Sequence, residues 1–262
     1  MTRYFRLLRL FVTTELQFAL AYRVNLVLEI MQMIVVAGTS VAAVLVLFSY
    51  TTVMNGWTLG QMVVLLGVYY IVQGAEELVL QPSFERFMEH VREGTLDFIL
   101  LKPVSSQFMV SFRHFQTVQT LQVVLGLVIT GLGVADLAHA ITFGSALAFA
   151  ATLACGLVLI YALLLVLSTL AFWFVRVENL LAIFWAFIDA GRFPVDIYPG
   201  WLRITMSTVI PVGIAVTVPA KAIAGLVDPA SLASIFAAAV IGFTVSRLFW
   251  RIGLRAYTGA SA

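Results

Sequence analysis

Residues 141 to 175 pass through Phe, Ala, Leu, Val and Ile without one Asp, Glu, Lys or Arg. A helix needs only about 20 residues to cross the hydrocarbon core of a bilayer. This run must therefore cross, and must also tilt, protrude or break. The chain is 62% hydrophobic and 11% charged, less than half of the roughly 25% charge that a soluble domain carries. Most of its surface must face lipid, which makes an all-α membrane protein the expected fold class. A net charge of +2 gives no footing for nucleic acid. The single Cys155 excludes a disulfide within the chain and reads as a small packing residue.

Residues 1–22 read as an interfacial helix, because Arg3, Arg6 and Arg9 alternate with Tyr4, Leu7, Leu8 and Phe11. A basic flank that sets topology explains the same residues. The pattern is not that of a cleavable signal peptide. Apolar spans are expected at 24–49, 58–80, 107–134, 141–175, 179–195 and 229–250. Asp228-Pro229 supplies an N-cap and first-turn proline for the last of them. Arg203, Pro211 and Pro219 interrupt 200–222, which reads as short re-entrant helices; a full span at 203–222 is the alternative. With six spans and both termini cytoplasmic, Arg3, Arg6, Arg9, Arg23, Arg86, Arg92, Lys102, Arg113, Arg176, Arg247, Arg251 and Arg255 lie inside. Only Arg192, Arg203 and Lys221 lie outside, in keeping with the positive-inside rule. Trp57 and Trp201 fall near outer ends and Trp173 and Trp250 near inner ends, where amphipathic rings anchor. No second domain is indicated.

The connection from Gln81 to Gln107 is charged and sharply punctuated. Phe84, Phe87, Met88 and Val91 recur at i, i+3, i+4 and i+7, while Glu85, Arg86, Glu89, His90 and Arg92 occupy the other positions. This predicts an amphipathic helix over 82–94 with Gly94 closing its C-terminus. A docking surface for a soluble partner is the expected use.

Catalytic constellations are not found. Neither lysine sits in a phosphate-binding loop, there is no His-Glu-x-x-His pair, and His90, His114 and His139 fall in separate regions. The sequence therefore assigns no catalytic residue and no metal site. Polar residues within spans attract more interest, since an ionised one costs about 2.5 kcal/mol or more at mid-membrane. Glu29 and Gln32 lie in the first span, Gln73, Glu76 and Glu77 in the second, and Arg113, Gln116 and Gln119 share a face of the third. They read either as a polar translocation passage or as helix pairing, with Arg113 held by Glu76 or Glu77. Asp189, Gly191, Arg192, Pro194 and Pro199 forbid a smooth helix; Arg192, Pro194 and Pro199 read as a structural break or an outer gate.

The run Gly94-Thr95-Leu96-Asp97, then Lys102-Pro103 and Gln107-Phe108, together with Arg192-Phe193-Pro194, Tyr198-Pro199 and Trp201, resembles permease subunits of the ABC-2 type exporter superfamily. More narrowly it resembles a six-span branch of ABC exporter permeases. The resemblance implies an N-terminal interfacial helix, six spans, a cytoplasmic coupling helix and re-entrant helices between spans five and six. It implies a soluble ABC ATPase dimer that binds ATP and Mg, so that this chain needs no cofactor of its own. A second copy or a related permease completes the assembly in a bacterial inner membrane. Phe84, Glu85, Phe87, Met88, Glu89, Val91 and Arg92 would then dock the ATPase. An integral-membrane lipid-modifying enzyme, built on Glu76, Glu77, Glu85 and His90, is the alternative; a structural or sensor subunit is a third.

Overall fold

The computed structural model describes residues 2–137, 141–174 and 177–257. His139 and Arg176, expected in an outer turn and an inner flank, lie outside them, as does the side chain of Arg3. The described residues are helical, joined by short turns. Helix α1 (Thr2–Ala21) meets α2 (Arg23–Tyr50), and α3 (Leu59–Ala75) leads without a loop into α4 (Gln81–Arg92). Two short helices, α5 (Asp97–Leu100) and α6 (Ser106–Phe112), precede α7 (Thr120–Ala135) and α8 (Phe143–Thr169). Then come α9 (Glu178–Ala190), α10 (Gly200–Thr208), α11 (Val212–Ile223) and α12 (Pro229–Ala256). Among the described residues five helical segments are long and apolar enough to cross a membrane, or six if the bent pair α10–α11 counts as one.

Glycines at every seventh residue set the closest pairing. Gly60, Gly67 and Gly74 on α3 meet Gly133, Gly126 and Val123 on α7, in antiparallel order. A Cβ on Gly126 would lie 2.6 Å from the Ile71 backbone N, and one on Gly133 would lie 2.6 Å from that of Val64. Backbones this close gain dispersion contact that larger side chains would forbid, the usual means of helix association in lipid.

A second packing unit joins α8 to α11 and α12. Gly156 rests against Ala215, Gly242 against Leu159, and Gly253 against Thr169 and Phe172. The last two contacts advance together along both chains, so α8 and α12 run parallel. Residues 177–228 must then make one net passage from the end of α8 to the start of α12. Helix α9 makes the first part only. The expected fifth span, 179–195, is a 13-residue helix, about 20 Å long at 1.5 Å per residue, against a core of about 30 Å. It stops at Ala190 because Gly191 and Pro194 follow within one turn. The chain then climbs as irregular backbone to Asp196, whose carbonyl accepts from Asn55 Nδ2 at 3.3 Å in the α2–α3 turn.

From there α10 and α11 make an excursion bent by 87°. Val212 returns to the level of Gly191, and Lys221 comes back to Asp196 at 3.0 Å. The bend excludes a straight helix over 203–222.

Two further expectations need correction. The second span does not end at residue 80 before a separate helix: Leu59–Arg92 is one continuous helical segment with a π-helical turn at Glu76–Leu80. Pro82 explains the turn. It has no N–H to give the Leu78 carbonyl four residues back, and its ring crowds that oxygen. Nor is 107–134 one helix. It breaks between Phe112 and Thr117, where Gln116 adopts φ −98°, ψ 79°. Arg113, Gln116 and Gln119 therefore do not share a helical face.

Candidate functional site

The two irregularities fit each other. The Leu78 carbonyl left free by Pro82 accepts from the Gln116 backbone N–H at 2.9 Å. Ser83, 1% exposed, donates its hydroxyl to the His114 carbonyl at 3.0 Å and accepts from the His114 N–H at 3.2 Å. One side chain thus satisfies both backbone groups of a broken residue, which would otherwise be costly to bury. The sequence reading passed over Ser83, although a serine next to a proline in a long apolar helix was a usable signal.

Helix α4 has the predicted amphipathic pattern and ends as expected, with Gly94 at φ 69°. Its apolar side is already engaged. Phe84 and Phe87 are each 1% exposed. The Phe87 ring lies 5.5 Å from Phe172 and 5.3 Å from Trp250, and Phe84 lies 6.1 Å from Tyr161. Met88 is buried and Val91 half-buried in the same core. Phe84, Phe87 and Met88 therefore face this chain's own helices, not an outside groove. The outward side carries Glu85, Arg86 and Glu89. Gln81 Nε2 donates to Glu85 at 2.9 Å, and Arg86 pairs with Glu89 at 2.6 Å.

Three cavities adjoin along the break. The largest, about 940 Å³, is bordered by Glu85, Glu89, His90, Arg92, Arg113 and Glu15. A second of about 410 Å³ lies between the α1–α2 corner and residues 115–118, and a third of about 290 Å³ lies between α2 and α3. Gln116 borders all three. Glu29 borders the second and third, and Glu77 and Arg192 the third. Of the polar residues expected along a passage, Glu29, Glu77 and Gln116 are thus brought together. Glu76 is not: it is 1% exposed, and its Oε1 has no hydrogen-bond partner among the described residues. The expected pairing of Arg113 with Glu76 or Glu77 does not occur. Arg113 lies 6.0 Å from the Phe11 ring centre, and Glu77 accepts from Gln73 Nε2 at 2.8 Å.

Glu15, unremarked in the sequence, approaches His114 Nδ1 at 3.5 Å. Burial, then the charges of Arg113, Arg86 and His90, bring the His114 pKa down to about 4. Burial also raises the Glu15 carboxyl. Both directions oppose charge, so at neutral pH the contact joins a neutral imidazole to a carboxyl and is no ion pair.

Arg192 does not sit with Pro199. It lies beside Tyr69, ten residues into α3, and donates to Asp189 at 2.9 Å with its guanidinium 5.7 Å from the Tyr69 ring centre. Pro194 is buried at the start of the irregular climb, whereas Pro199 is exposed and opens α10. At the far end Asp196 holds Lys221 at 3.0 Å and Arg203 at 2.8 Å. The groups of the enzyme alternative do not converge: Glu85 is held by Gln81, Glu77 by Gln73, and His90 Nδ1 by the Thr95 hydroxyl at 2.7 Å.

A bundle of long apolar helices of this kind is that of an integral membrane protein. Residues 34–261 match the family model described as ABC-2 family transporter protein, and the chain belongs to that family. It is a transmembrane permease subunit of an ABC transporter. No curated protein and no solved structure matches it significantly.

Proposed function

We propose that this chain is the permease of an exporter powered by ATP hydrolysis in a separate nucleotide-binding subunit. Both termini and α4 would face the cytoplasm of a bacterial inner membrane. Direction is inferred from the family likeness. ATP and Mg would be held by the partner, and a second permease, identical or related, would cover part of the exposed apolar face of α2.

One observation carries this reading: α4 continues α3 without a loop, through the π-helical turn. Its apolar side is locked into the bundle and its charged side faces outward. A soluble partner pressing on Glu85, Arg86 and Glu89 would move the whole of α3, and with it α7, to which the glycines bind it. Rim charges set orientation and partner choice, and packed helices shift between discrete arrangements. The π-helical turn and the break at His114–Gln116 are where such a movement meets the polar cleft.

The test is co-purification with a candidate ABC ATPase from the same organism. Reversing charges by Arg86→Glu with Glu89→Arg should abolish co-purification and substrate-stimulated hydrolysis while the melting temperature stays within a few degrees. Undiminished association would remove α4 from the interface.

A further inference from the structure

Resting on the permease reading, we propose that the 290 Å³ cavity between α2 and α3 receives the ammonium head of an amine-bearing amphiphile. Its tail would leave sideways along α2. The cavity is lined by Glu29 of α2 and Glu77 of the π-helical turn, with Tyr70, Gln119 and Arg192 around them. Arg192 brings the one positive charge among these lining residues, and that charge is already engaged with Asp189 at 2.9 Å. Glu77 receives a hydrogen bond from Gln73 and Glu29 one from Asn25, which fix the carboxyls and leave acceptor capacity on each. The balance of the lining favours a cation.

A second observation is independent of the carboxyls. Gln119 is 8% exposed and borders the cavity, and its Oε1 is buried with no hydrogen-bond partner among the described residues. A buried amide oxygen without a donor is unfavourable by about 1–3 kcal/mol. A ligand with N–H groups would satisfy it, and a quaternary ammonium would not. The Tyr70 hydroxyl donates to Ser40 at 2.9 Å, so what its oxygen has left for a ligand is acceptor capacity, again suited to an N–H group. The amides of Gln32, Gln116 and Gln122, with Met33 and Val36, complete the wall, and Ile34 and Val35 on α2 are 59% and 60% exposed. The head would be held by polar groups while the tail stays in lipid.

The experiment measures equilibrium binding of radiolabelled dodecylamine to the full chain in nanodiscs without the ATPase. Dodecanol, dodecyltrimethylammonium and dodecanoate serve as competitors. Dodecylamine should bind about tenfold more tightly than dodecanol, a difference of about 1.4 kcal/mol, and dodecanoate should not compete. Glu77→Gln and Glu29→Gln should each weaken the amine by roughly tenfold. Gln119→Leu should narrow the preference for the amine over the quaternary compound while leaving the preference over dodecanol. Asp136→Asn, just past the far end of α7, should bind normally. Equal binding of amine and alcohol, stronger binding of dodecanoate, or unchanged affinity in the carboxyl variants would overturn the proposal. Should Glu77→Gln fail to fold, Glu29→Gln and Gln119→Leu still decide it. Selective amine binding by a chain that never associates with an ATPase would sink the permease reading alone. Association without selective binding would sink the site alone.

Discussion

Gly126 and Gly131 sit five residues apart on α7 and should behave in opposite ways. A Cβ on Gly126 would strike the Ile71 backbone at 2.6 Å, while one on Gly131 would meet nothing within 4 Å. Gly126→Ala should destabilise the purified protein by about 1–3 kcal/mol, and Gly131→Ala should leave thermal unfolding unchanged or raise it slightly. Equal effects would mean that α3 and α7 do not pack through these glycines. His114 makes a pH prediction. With its pKa brought down to about 4 from an ordinary value near 6.5, the unfolded chain binds a proton between those values that the folded chain refuses. Stability contributed at this position is therefore present above pH of about 6.5 and is lost as pH falls towards about 4. Glu15, whose carboxyl is raised by burial, works in the opposite sense, its contribution fading as pH climbs through its raised value. Melting curves of wild type and His114→Gln should converge as pH drops through the histidine window. A constant gap would show that His114 titrates normally.

At the scale of elements, the joint between α4 and the break before α7 decides most. Ser83→Ala leaves the His114 N–H and carbonyl without their shared partner and should cost about 1–3 kcal/mol. Pro82→Ala restores a donor for the Leu78 carbonyl in competition with Gln116. It should keep the fold, straighten the π-helical turn and lower ATPase stimulation by the substrate; full stimulation would relieve the joint of any coupling role. Phe87→Ala should cost about 3–5 kcal/mol, because its ring lies between Phe172 and Trp250 and not at a partner surface.

These elements also show what could be read in advance. The 3.6-residue spacing of Phe84, Phe87, Met88 and Val91 located α4 and its buried side, since periodicity reports which face leaves water. It could not say what covers that face, because a groove in a partner and a groove in the same chain select the same residues. The break at His114–Gln116 escaped notice for a related reason. Its residues are not helix breakers, and it is stabilised by Ser83 and Leu78, more than thirty residues away. The seven-residue glycine spacing was plain in the sequence but gains meaning only once α3 and α7 are antiparallel neighbours.

Across the whole molecule, the low charge pointed to a membrane, because few charges cannot coat so much surface, and the length of the apolar runs pointed to helices. The number of passages needed contacts distant in sequence. Parallel α8 and α12 require one net crossing between them, and a 13-residue α9 supplies it only with the irregular climb to Asp196. Polar residues scattered over three expected spans became one cleft through Gln116, which no spacing rule could have placed. What unites these parts is the claim that α4 stands on the cytoplasmic side and is gripped there by the ATPase. The most direct measurement places one cysteine at Glu89 in a Cys155→Ala background and treats intact cells and inverted vesicles with a membrane-impermeant maleimide crosslinker. The account predicts labelling only in inverted vesicles, with a crosslinked band joining the chain to its ATPase. Labelling from outside intact cells would contradict it.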